Sequence, residues 1–109
     1  MDVPNTAESF RGLVLRHRGR TGLTQRELAA RLAVDRSTVQ DWETGVKFPT
    51  AERLRALIGT LLEAGGLTTG RESAEAHELW AAALREAPRM RTPFDEEWFA
   101  PLLAEHASP

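Results

Sequence analysis

The sequence predicts an all-α fold, a bundle of about four helices followed by two more, and three observations carry that prediction. Apolar residues recur at the three- and four-residue spacing of a helical face in successive stretches. Most of these stretches are bounded by cap or stop residues. No run of four or more residues combines period-two alternation with β-branched side chains, so no strand is expected.

Phe10, Leu13, Val14 and His17 fall at i, i+3, i+4 and i+7, and the stretch Gly19 to Gly22 ends the run, placing a first helix at roughly 7 to 19. His17, on the inward face, reads as a satisfied core histidine. Thr24 and Glu27 have the spacing of a capping box, and Leu23 and Leu28 that of the matching hydrophobic staple, so a second helix starts at Gln25 and runs through Leu32. Asp35 suits the cap of a third helix, with Val39 and Trp42 inward, Arg36, Ser37, Gln40 and Asp41 outside, and Gly45 as a left-handed stop. Thr50 caps a fourth helix whose stripe of Leu54, Leu57, Ile58, Leu61 and Leu62 ends at Gly65 and Gly66.

Beyond the GGLTTG loop, residues 72 to 87 put Ala76, Leu79, Trp80, Ala83, Leu84 and Ala87 on one face, stopping before Pro88. Glu72, Glu75, Glu78 and Glu86 on this fifth helix read as a solvated face. Thr92, Pro93 and Asp95 are expected at the cap, first and third positions of a sixth helix, with Phe94, Trp98, Leu102 and Leu103 inward and Pro101 as a kink. The boundary expected inside the chain divides residues 1–65 from a helical extension, 66–109, packed on them. Closing directly after a helix, the sequence is compatible with continuation into a longer protein.

Hydrophobic residues make up 41% and charged residues 28%, the balance of an ordinary globular protein. With no cysteine, disulfides, thiolate zinc sites and cysteine nucleophiles are excluded. The N-terminus lacks a signal-peptide pattern and no stretch approaches the roughly 18 apolar residues of a membrane helix, so the default expectation is cytoplasmic, with no membrane partner. The net charge of −2 is unevenly spread, +3 over residues 1–59 and −5 over the remainder. That asymmetry is compatible with a DNA-facing front half and equally with an ordinary mixed surface.

Residues 10 to 62 resemble the phage-repressor (Cro-like, Xre-type) helix-turn-helix family. GLTQRELAARLAV matches its second helix and turn, and DRSTVQDWETG its third helix. The resemblance implies a repressor-like bundle in which the third helix enters the major groove with its N-terminal residues at base edges. It further implies that Gln25 bonds a phosphate, that Arg36 and Ser37 read bases, that Gln40 reads adenine or reaches a phosphate, and that Thr44 and Lys47 approach the backbone. Arg18 and Glu43 match the family's partly buried ion bridge, which gives them a structural role beside Asp35, Val39 and Trp42. Asp41, one turn after Ser37, departs from the family pattern, because a carboxylate there faces phosphates unless it accepts from a cytosine amine.

The implied partner is double-stranded DNA, with a second copy of the chain (a homodimer) or another protein domain as further candidates although no segment reads as a dimer seam, and the implied role is the recognition module of a bacterial transcriptional regulator or a larger signalling protein. The competing class is a protein-interaction module that keeps the fold without DNA affinity, a reading favoured by the negative net charge, Asp41 and the single lysine. The segment from Gly66 resembles the extra helices that follow such motifs in larger bacterial regulators with ATPase or repeat modules. Its Trp98 and Phe99, adjacent and so on different faces, are the candidate partner contacts.

No enzyme is expected. Histidines 17, 77 and 106 lack the spacing that places two metal ligands on one helical turn. GGLTTG lacks the lysine and strand-to-helix setting of a phosphate loop, and no nucleophile elbow surrounds Ser37 or Ser73. Neither a metal nor a cofactor is therefore expected.

Overall fold

Each apolar stretch becomes a helix in the computed structural model, which describes residues 8–107. The helices are α1 (Phe10–Thr21), α2 (Gln25–Leu32), α3 (Arg36–Thr44), α4 (Ala51–Glu63), α5 (Glu72–Glu86) and α6 (Glu96–Ala107). Among the described residues there is no strand, and no helix is long and apolar enough to cross a membrane. The expected helix start at position 7 lies outside the described residues.

Local chemistry sets the boundaries of the first four helices. Ser9 accepts from the Gly12 N–H at the start of α1, and Gly22, at φ 77°, closes that helix in the left-handed region. Thr24 and Glu27 form the full capping box, with bonds of 2.9 and 3.0 Å in the two directions. Thr50 caps α4 by accepting from the Arg53 N–H at 3.2 Å. Asp35 holds the N-cap position of α3 in extended backbone, but its carboxylate makes no capping hydrogen bond and stays exposed, so its structural role is only positional.

The second and third helices pack against each other, α3 also lies on α1, and α4 packs against α2 and α1. Val39, Leu13, Leu28, Leu54 and Leu57 are fully enclosed there, and Trp42 nearly so. Burial of side chains this size stabilises by about 1.5–3 kcal/mol each, which orients α3 by its inward face. Helix α5 lies on α1 and α4, and α6 on α4 and α5. Leu79, Trp80 and Ala83 continue the same apolar core, joined by Phe99.

Four expectations for this second half are corrected. The sixth helix begins at Glu96, with Asp95 in the capping role through bonds to the N–H groups of Glu97 and Trp98 at 3.0 and 3.3 Å. Residues 92 to 94 stay outside the helix instead, because Thr92 O accepts from Trp80 Nε1 at 2.8 Å and Phe94 turns into a ring cluster with Trp80, Trp98 and Phe99. Phe99 is 1% exposed and therefore a core residue, not a partner contact, whereas Trp98 is half-buried beneath the Arg55 guanidinium. Leu84 points outward and Ala82 takes the inward position.

Glu75 is the fourth correction: only 5% exposed, it accepts from the Thr68 N–H and hydroxyl at 2.6 and 2.7 Å. His17 is fully buried as expected, but only half satisfied. Its Nδ1 meets Gly66 O at 2.9 Å and its Nε2 has no hydrogen-bond partner among the described residues.

Candidate nucleic-acid interface

The burial of Val39 and Trp42 leaves the opposite face of α3 in solvent. The adjacent Arg36 and Ser37, then Gln40 and Thr44 at successive turns, are all exposed along it, and Lys47 is exposed just beyond the C-terminus. An α-helix has the width that a B-form major groove admits, and the first turn of α3 carries the arginine. The Thr44 hydroxyl donates back to Asp41 O at 3.3 Å, a bond that holds it along the helix.

Behind this face lies a polar chain that ties three helices together. The Glu43 side chain is 4% exposed and accepts from Arg18 Nε at 2.5 Å and from Arg18 Nη2 at 3.1 Å, a two-pronged contact between α3 and α1. Arg18 also donates to Leu23 O at 3.0 Å, pinning the residue that leads into α2. Gln25 Nε2 donates to Glu43 Oε1 at 2.8 Å, and Arg36 Nη1 donates to Gln25 Oε1 at 3.1 Å. A carboxylate only accepts and a guanidinium only donates, so the two neighbours fix which way the Gln25 amide points. The buried carboxylate thus orients, through one amide, the arginine on the exposed face.

All the residues singled out on the first three helices are therefore contiguous: Gln25 and Arg36 touch directly, Arg18 and Glu43 brace them, and Ser37, Gln40 and Thr44 share one face of α3. Asp41 is half-buried with its carboxylate 4.0 Å from Lys47 Nζ. Periodicity could not foresee the link between Arg36 and Gln25, because the two lie on different helices and meet only after α2 and α3 have packed. Trp98, on α6, belongs to the ring cluster beside α4 and takes no part in this arrangement. Among the described residues no group of three or more His, Asp or Glu is gathered as a metal site.

Compared with known proteins, residues 11–70 match the model of the helix-turn-helix domain family, more than half of the chain, and the chain belongs to that family. Membership indicates DNA binding in general terms. Neither a curated protein nor a solved structure matches the chain.

Proposed function

We propose that this chain binds double-stranded DNA sequence-specifically, with α3 in the major groove, as the recognition module of a Cro-like, Xre-type bacterial transcriptional regulator or larger signalling protein. The observation that carries this reading is the exposed row Arg36, Ser37, Gln40 and Thr44 on a helix whose other side is locked into the core by Val39 and Trp42. Arg36 is the primary base reader, able to donate to both acceptors of a guanine, and Ser37 and Gln40 read neighbouring positions. Gln25, at the N-terminus of α2, contacts a phosphate, as do Thr44 and Lys47. In the free protein the Arg36 guanidinium already donates to Gln25 Oε1, which reduces the ordering that binding requires.

The test is fluorescence anisotropy of a labelled duplex, first random and then a site selected from a random pool, at roughly 50 and 200 mM salt, where phosphate contacts lose orders of magnitude in affinity. Arg36→Ala is expected to remove about 1–3 kcal/mol of discrimination at one base pair of the selected site. Lys47→Ala should weaken all duplexes alike and flatten the salt slope by about 1. A folded, helical chain that binds no duplex at low salt overturns this function and leaves the family fold serving contact with another protein.

A further inference from the structure

Next to the α3–α4 connection is a groove of about 600 Å³ whose other wall comes from the α5–α6 connection, outside the matched family segment. Lys47 lines it from the first side and Arg89 and Arg91 from the second, and no carboxylate lines it at all. The composition of this stretch runs against its surroundings. Residues 60–109 carry a net charge of −5, yet residues 87 to 94 contain two arginines and no acid. Both arginines are exposed, and neither enters an ion pair among the described residues, unlike Arg71 and Arg85 of the same half.

The stretch is also held in place. Met90, between the two arginines, is 7% exposed and packs into the core, as does Ala87. Ala87 N–H donates to Ala83 O at 2.8 Å, Met90 N–H to Ala87 O at 3.3 Å, and Trp80 Nε1 fastens Thr92 O at 2.8 Å. An inward methionine flanked by two outward arginines on an anchored segment presents two guanidinium groups with little backbone entropy left to lose. Guanidinium is the side-chain group best matched to a phosphate, which it can engage through two parallel hydrogen bonds.

We propose that the α5–α6 connection is a second phosphate-contact segment: Arg89 and Arg91 engage the same stretch of DNA backbone that Lys47 approaches, extending the footprint beyond the helix-turn-helix. The inference rests on the DNA-binding reading above and adds a contact surface from the second half of the chain. The groove floor, with Phe48, Pro49 and Met90, is apolar and makes no claim on the bases.

The experiment compares the whole chain, the double variant Arg89→Ala/Arg91→Ala, the charge-preserving double variant Arg89→Lys/Arg91→Lys and the single variant Lys47→Ala. Each is titrated against the same labelled random duplex between roughly 50 and 200 mM salt, with helicity checked by circular dichroism. The alanine pair should lose at least about tenfold in affinity at low salt and show a salt slope shallower by about 2, with the lysine pair restoring most of that slope. An alanine pair that binds like the parent while Lys47→Ala is impaired overturns the second segment and leaves the helix-turn-helix reading intact. A parent chain that binds no duplex overturns both.

Discussion

Asp41 occupies the face of α3 that is proposed to meet DNA, and what surrounds it decides how much it opposes binding. Its carboxylate lies 4.0 Å from Lys47 Nζ, with the lysine side chain 73% exposed, a surface pair of the kind worth under about 1 kcal/mol. The pair nonetheless places an anion near the phosphates and draws on the cation that would otherwise face them. Asp41→Asn is therefore expected to raise affinity for any duplex roughly three- to tenfold at low salt, by freeing Lys47 and removing one repulsion. Anisotropy of the variant beside the parent checks this, and identical affinities would place Asp41 away from the backbone. At this scale the sequence was legible in part. The pattern of Val39 and Trp42 told which side of α3 faces out, and the family resemblance paired Arg18 with Glu43. The position of the Gln25 amide between Glu43 and Arg36 was not legible, since it depends on how α2 and α3 cross.

Among the elements, the short-range signals were the readable ones. The bounds of α2 and α3 coincide with those read from Thr24, Glu27, Asp35 and Gly45: the capping box at α2 and the left-handed Gly45 at the end of α3 act within one helical turn, while Asp35 marks the start of α3 by position, without a capping bond. The start of α6 was misplaced since Thr92 and Pro93 also look like a cap and first position. The bond from Trp80 and the packing of Phe94 in the ring cluster, both tertiary, keep that stretch out of the helix. The turn between α2 and α3 contains a feature that the pattern conceals. Ala33 has φ 57° and ψ 42°, the sole non-glycine residue with positive φ among the described residues. An L-residue with a Cβ held there costs roughly 1–2 kcal/mol, against a smaller entropic cost for glycine. Ala33→Gly should accordingly stabilise the fold by about 0.5–1 kcal/mol, raising Tm by several degrees for a chain of this size. Thermal melts by circular dichroism would show it, and an unchanged or lower Tm would mean that the turn holds no such strain.

Across the whole molecule the two halves are fastened at Gly66 and Glu75. A Cβ at Gly66 would come within 2.7 Å of Thr21 Cγ2 and 2.8 Å of His17 O, so the chain can cross α1 there only without a side chain. Because Gly66 O can only accept, the proton between it and His17 sits on Nδ1. Close by, Glu75 gathers the Thr68 N–H and hydroxyl, with Arg20 at 3.6 Å and Arg71 at 3.9 Å. Burial pushes its carboxyl up, but the two bonds from Thr68 and the neighbouring His17 and Arg20 outweigh that and hold it below the ordinary value of 4.5. The spacing of glutamates along α5 gave no hint of this, because Glu75 looks like its solvated neighbours until the Thr68 loop folds over it. A carboxyl lowered in the folded state contributes stability that is fully present above about pH 4.5 and is lost as pH falls through the lower, folded value. Glu75→Gln keeps the shape and removes the charge, so at pH 7 it should cost about 1.5–3 kcal/mol, the worth of hydrogen bonds to an ionised group. The gap between parent and variant should then close as pH is lowered below about 4.5, since the parent carboxyl becomes neutral as well. Denaturation of both proteins from pH 7 down to pH 3 measures that gap directly. Curves that stay parallel through the acid range would show that Glu75 fastens the second half by shape alone, whereas curves that converge would make its charge the tie between α5 and the helix-turn-helix.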